Sequence, residues 1–222
     1  VFSSIDHWGR YAFGNQPHIA AWNLARLAET LLPLMSDNSE EAVAMATEVI
    51  ASFPTQYRSH LLRGHRAKLG LSRAEADDDA SDAALADDWL KLLHAERVDF
   101  TLAWRRLADA ANGDETQLRP LFTDVHGLDA WLTRWHARCA GEPSVAGHER
   151  AKAMRSVNPI IIARNHQVEE ALAAASDADD LAPFQRLLAA VRQPYVESAD
   201  SAFFAKPAPA AVTACYRTFC GT

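Results

Sequence analysis

Two sets of potential metal ligands stand at helical spacing in this sequence. His136 and Cys139 lie three residues apart, so on a helix they share a face. Two such donors suit zinc, but a structural zinc site needs four, and no second pair lies nearby. Cys139 also continues the stripe of Trp131 and Trp135, which predicts a buried core thiol. His166 with Glu169 and Glu170 gives H-x-x-E. Helical di-metal proteins use the reverse order, Glu-x-x-His, and use it twice. The plainer reading is that Asn165 caps a helix and the two glutamates occupy its first turn. The N-terminal stretch brings together Asp6, His7 and Arg10 around Gly9. These residues are polar enough to edge a cleft and equally suited to forming a turn. Gly9 and Gly14 are too far apart, and lack the following Lys, to cradle phosphate. No G-x-S-x-G elbow, Walker loop, H-E-x-x-H or paired C-x-x-C occurs. The residues themselves imply no catalytic set, no cofactor and no metal in this chain.

Any such groups must be positioned by helices, because helical periodicity dominates. Ala20, Leu24, Leu27, Leu31 and Leu34 repeat at steps of four and three on a helix that starts near Pro17. Pro17 suits a first turn, and Pro33 should kink or end the helix. Asn38 followed by Glu41 resembles a capping box. Val43, Ala46, Ile50 and Phe53 form the next stripe, which Pro54 is expected to stop. A third helix then places Tyr57, Leu61 and Leu62 inside, with Gly70 as its C-terminal cap. Further helices are marked by Leu85 to Leu93, Phe100 to Ala111, Leu128 to Cys139, Ser144 to Arg155, Val168 to Ala175 and Leu181 to Val191. Ile160-Ile161-Ile162 is either a short strand or a buried link. Of the six tryptophans, Trp22, Trp89, Trp104, Trp131 and Trp135 fall within helices, where core packing is the default. Trp8 falls in the irregular lead. The expected fold is mainly α, with about eight or nine helices and little or no sheet. Residues 1–16 form an irregular lead, and residues 17–222 form a helical domain with an extended tail from about 198.

Composition narrows the partners. The net charge is −7 and no Lys/Arg-rich run occurs, which argues against nucleic acid or an anionic membrane surface. The acidic run from Glu75 to Asp88 reads as a solvated linker and helix start. No apolar run approaches the ~20 residues that span a bilayer. Three cysteines, an odd and low count for 222 residues, indicate a reducing compartment and a cytoplasmic location. The chain has no initiating Met and opens on a structured phrase, so a piece of a longer protein is expected.

Three blocks resemble one known family. The first is Ser4-Ile5-Asp6-His7, Gly9-Arg10-Tyr11-Ala12-Phe13, Asn15-Gln16-Pro17 and Trp22-Asn23-Leu24-Ala25-Arg26-Leu27-Ala28. The second is Met154, Asn158-Pro159, Arg164-Asn165-His166 and Val168-Glu169-Glu170-Ala171. The third is the terminal Cys220-Gly221-Thr222, where animal members carry selenocysteine at the antepenultimate place. The combination is similar to the C-terminal portion of the selenoprotein O (SelO, YdiU) family. The resemblance implies a protein-kinase-like fold that transfers AMP from ATP to protein hydroxyls. This chain would then supply the activation-segment-like lead, the helical C-lobe and its C-terminal extension. The resemblance also implies ATP and Mg²⁺ or Mn²⁺ for the full-length protein, held by residues upstream of Val1 that match no position here. Asp6, His7 and Arg10 would sit at the edge of that cleft. The implied partners are the missing N-terminal kinase-like portion and protein substrates, and the chain alone should be inactive.

Some family members pair a cysteine near the activation segment with one near the C-terminus. Here the lead reads Val1-Phe2-Ser3-Ser4 and lacks the thiol. Cys220 remains a candidate redox thiol. Its five-residue separation from Cys215 does not favour a bridge, so no obligatory disulfide is expected. Periodicity alone also admits a different class, a stand-alone helical interaction module. An upstream N-T-D-N or D-Y-G-P phrase would mark the enzyme, and a start codon at Val1 the module. A helical metal enzyme would require stoichiometric metal, and none is expected.

Overall fold

A computed structural model describes residues 6–72, 78–142 and 145–218, except for the side chains of Asp200 and Ser201. Ten α-helices carry the described chain, with no strand among these residues. They are α1 (Gln16–Met35), α2 (Ser39–Leu69), α3 (Asp79–Ala95), α4 (Phe100–Ala110), α5 (Val125–Ala140), α6 (Gly147–Val157), α7 (Asn165–Ala178), α8 (Ala182–Val191), α9 (Ala199–Ala205) and α10 (Ala210–Cys215). Short 3-10 turns at Phe13–Asn15 and Arg119–Leu121 join them. The fold is mainly α, as periodicity predicts. The chain divides into two compact units, Val1–Leu61 with Thr213–Thr222, and Leu62–Val212.

In the first unit, α1 starts with Pro17 in its first turn and runs past Pro33 for two further residues. None of its residues is buried. Leu24, Leu27, Leu31 and Leu34 share a stripe, yet all are exposed, Leu34 to 83%. The capping box at α2 is a relay. Asn38 Oδ1 accepts from the backbone N–H of Glu40 and Glu41, at 3.0 and 3.4 Å. Glu41 bonds Ser36 Oγ at 2.8 Å, and that hydroxyl accepts from Asn38 N.

Pro54 does not end this helix. α2 continues through it for 31 residues in all. A mid-helix proline loses one ladder bond and crowds the carbonyl four residues back, and α2 runs on despite both. Leu61, expected inside, is exposed. The C-terminus of α2 closes as predicted. Gly70 adopts φ +72°, and Leu71 N donates to Arg66 O at 2.9 Å, the long bond of a left-handed cap. A Cβ on Gly70 would lie 2.7 Å from both Met154 Sδ and Arg150 Cγ, so the turn also needs a residue without a side chain.

The second unit is built around tryptophan. Trp89, Trp104, Trp131 and Trp135 are all buried, together with Leu69, Leu107, Leu118, Leu128 and Met154. Trp89 lies 4.4 Å from Trp131 and 5.9 Å from Trp104, ring centre to ring centre, and Trp131 lies 5.9 Å from Trp135. Trp131 and Trp135 each find a carbonyl for the indole N–H, Leu85 O at 3.0 Å and Leu69 O at 2.9 Å. α3 packs on α5, α4 on α6 and α7 on α8. Ile160 and Ile161 form a buried link, not a strand. Their N–H groups donate to Pro194 O at 2.8 and 3.2 Å, and their side chains seed a second small core with Ala205 and Phe204.

Candidate functional site

The lead folds into a turn organised by Asp6. Its two carboxylate oxygens accept from Arg10 N at 2.8 Å and Tyr11 N at 2.9 Å. Gly9, at φ +66°, closes the turn with its N–H on Asp6 O. Asn15 Nδ2 donates to Gly9 O at 2.7 Å and ties the turn to the start of α1. The guanidinium of Arg10 sits 4.8 Å from the Trp22 ring centre and 5.6 Å from that of Tyr11. Arg26 flanks the same indole at 5.6 Å. Trp22 is therefore not a core residue. It is half exposed and covered by cations, an arrangement stabilised by the ring quadrupole. His7 is exposed, and Trp8 is 95% exposed. The three residues expected at a cleft edge thus share one turn. Asp6 is engaged by backbone, Arg10 lies on an aromatic face, and His7 faces solvent. Cys220 lies outside the described residues.

The charges of the second unit hold the unit itself together. Asp82 is 0% exposed, although it belongs to the acidic run read as solvated. Arg66 Nε reaches its Oδ2 at 2.6 Å, and Arg138 Nε reaches its Oδ1 at 2.8 Å. Arg138 also pairs with Glu142 at 3.2 Å, and Arg150 approaches the same carboxylate at 3.4 Å. Ser72 adds its N–H and hydroxyl to Glu142 Oε2. The hydrogen bonds Arg138 donates to Asp82 raise its pKa; desolvation lowers that of Arg66, but the bonds it donates to Asp82 and Asp79 raise it overall. Such pairing is what permits charge inside a protein. The signal for Asp82 was its register. It lies three before Leu85 and seven before Trp89, on their helix face.

The second resemblance block is structural as well. Asn158 is fully buried. Its Oδ1 accepts from Lys68 Nζ at 2.9 Å, and its Nδ2 donates to Lys68 O at 3.0 Å. Arg105 donates to three carbonyls, those of Arg155, Asn158 and Tyr195, at 3.0, 3.1 and 3.2 Å. Arg164 forks onto Asp99 at 2.7 and 3.1 Å, and Asp99 also caps α4 through Leu102 N. Periodicity misses Arg105 and Arg164 because their partners are distant in sequence. Asn165 is not a cap. Arg164 holds the N-cap position, without a side-chain bond, and Glu169 and Glu170 lie beyond the first turn.

Burial lowers the pKa of Lys68, whose ammonium lies 5.4 Å from the Trp104 ring centre. Burial also lowers that of His65, stacked on Trp104. Burial pushes the Cys139 thiol up to about 11, consistent with its contact with the core. Among the described residues, no group of three or more His, Cys, Asp or Glu side chains could hold a metal ion. His136–Cys139 and His166–Glu169–Glu170 therefore stay incomplete as ligand sets. No described helix is long and apolar enough to cross a membrane.

The sequence pattern of the family described as "Protein adenylyltransferase SelO" matches residues 1–192. The whole chain is similar to proteins named "Protein nucleotidyltransferase YdiU". It is 54% identical over 222 residues to one from Cereibacter sphaeroides and covers 44% of that protein. It is 52% identical over 227 residues to one from Chromobacterium violaceum, covering 46%, and 52% over 226 residues to one from Mycolicibacterium paratuberculosis, covering 43%. The chain thus spans less than half the length of these relatives.

Proposed function

Since this chain belongs to the SelO family of protein adenylyltransferases, we propose that it is the C-terminal part of such an enzyme. In its full-length form the enzyme transfers AMP from ATP to Ser, Thr or Tyr hydroxyls of protein substrates. ATP and Mg²⁺ or Mn²⁺ are held outside this chain, and residues 1–222 are inactive alone. One observation carries the reading. The chain aligns along its whole length with relatives named as protein nucleotidyltransferases, yet covers only 44% of the first of them.

The residue inventory supports it. Phosphoryl-type transfer relies on positioned metal ions and cations around the phosphates. The described residues offer no metal-holding group, and the buried acids Asp82 and Glu142 already bind arginines. No step of the transfer is assigned to a residue of this chain.

The role left to the chain is to support and edge the cleft. The apolar stripe Leu24, Leu27, Leu31 and Leu34 on α1 is exposed and suits burial against the N-terminal kinase-like portion. The Asp6–Arg10 turn precedes that stripe and fits a cleft edge. Low cysteine content supports a cytoplasmic location, and the net charge of −7 supports partners other than nucleic acid and membrane.

The test compares purified 1–222 with a full-length relative, each incubated with ATP, Mg²⁺ or Mn²⁺ and a protein lysate. Protein-bound AMP is expected only with the full-length enzyme. Labelling by 1–222 alone overturns the assignment of catalysis to the absent portion. Failure of the full-length enzyme to label overturns the activity.

A further inference from the structure

Within the second unit, α7, α8 and α9 line a pocket of about 660 Å³, in the range of small-molecule sites. Its walls are largely apolar. Ile161 and Leu187, both buried, belong to them, as does Phe204 of the second small core. Two charged residues also line the pocket, Glu170 on α7 and Arg186 on α8. On α8, Pro183, Arg186, Leu187 and Ala190 recur at steps of three and four, so Arg186 stands within the helical row that lines the pocket. On α7, Glu170 follows another lining residue, Gln167, by three. Both charged side chains are exposed, within reach of a ligand. Neither has a hydrogen-bond or ion-pair partner among the described residues. Arg119 and Arg134 find acids even at the surface of the same unit, whereas Arg186 shares a pocket with Glu170 and stays unpaired. A simple anion on Arg186 would meet the like charge of Glu170, and a simple cation on Glu170 would meet that of Arg186. A molecule that carries both charges on an apolar body satisfies both residues and the walls.

We propose that this pocket binds a free amino acid with a large apolar side chain, its ammonium on Glu170, its carboxylate on Arg186 and its side chain against Ile161, Leu187 and Phe204. The site is independent of AMP transfer, so either reading can fail without the other.

L-Phenylalanine, 3-phenylpropanoate and 2-phenylethylamine are suitable probes. The second lacks the ammonium and the third lacks the carboxylate. Each is titrated at neutral pH into the ¹⁵N-labelled 222-residue chain and followed by NMR. L-Phenylalanine should bind about two- to fivefold tighter than either analogue, the range expected of one solvent-accessible ion pair. Shifts should appear along α7, α8 and α9. Glu170→Gln should bind L-phenylalanine no tighter than 3-phenylpropanoate. Arg186→Gln should bind it no tighter than 2-phenylethylamine. The proposal is overturned if L-phenylalanine shifts none of these resonances up to its solubility. It is also overturned if either analogue binds the unaltered chain as tightly, or if the preference survives both substitutions. If a variant does not fold, the three affinities of the unaltered chain decide.

Discussion

Replacing Asp82 with asparagine should destabilise the 62–212 unit by about 3 to 4 kcal/mol. Asp82 is wholly buried and accepts three charge-assisted hydrogen bonds, one from Arg66 at 2.6 Å and two from Arg138 at 2.8 and 3.2 Å. Bonds of this kind are worth roughly 1.5–3 kcal/mol each, and breaking a buried pair by removing one partner costs about 3–5 kcal/mol. The lower half of that range applies because each arginine keeps another acid. Arg66 retains Asp79 at 2.8 Å, and Arg138 retains Glu142 at 3.2 Å. Asp79 is largely exposed, so its pairing recovers only about 1 kcal/mol or less.

Urea denaturation followed by tryptophan fluorescence suits the measurement, because four of the six tryptophans are buried in this unit. With a slope of about 2 kcal/mol per molar, the midpoint should fall by roughly 1.5–2 M. Asp88→Asn is the control. Asp88 pairs with Arg134 and Lys91 at 2.9 and 3.0 Å on the surface, and its loss should cost under about 1 kcal/mol. If Asp82→Asn costs no more than Asp88→Asn, the acid is a solvated surface group and the clamp reasoning fails.

Two other perturbations follow from local geometry. Gly70→Ala combines a left-handed backbone with a Cβ 2.7 Å from Met154, and should cost about 2–4 kcal/mol. Gly113→Ala, at φ +86° with no atom within 4 Å, should cost only about 1–2 kcal/mol by the same denaturation assay. Equal losses would mean that packing around Gly70 is irrelevant. Cys139, pushed from 9.0 to about 11 by burial, holds about 100-fold less thiolate at pH 8 than an unperturbed thiol. Iodoacetamide should therefore alkylate exposed Cys215 well before Cys139 in the folded chain, with peptide mapping as the readout. Cys139 is partly buried, short of the fully buried thiol its stripe predicts, and comparable rates would show that this partial cover does not protect it.

Much of the fold was legible in residue spacing. The stripes of α3, α4 and α5 mark helices that the structure reproduces, ended near Gly113 and Gly141. Gly70 was readable as a cap, since a left-handed turn after an apolar stripe is a local demand. Pro54 misled because the cost of one proline is local, while the length of α2 depends on the turns around it. The lead was legible as a polar turn, but not the way Asp6 binds backbone or Arg10 lies on Trp22. Trp22 and Trp104 look alike in sequence, each a tryptophan within an expected helix. One is half exposed under arginines and the other is buried.

What the sequence determined by itself was the helical class, the positions of most helices and the family resemblance, because periodicity and short motifs are local properties of the chain. Tertiary structure alone decided which polar residues lie inside. Asp82 meets Arg138 across 56 positions, Asn158 meets Lys68 across 90, and Arg164 meets Asp99 across 65. Burial of a charge is tolerable only when its partner arrives at the same point in space, and spacing along the chain carries no record of that meeting.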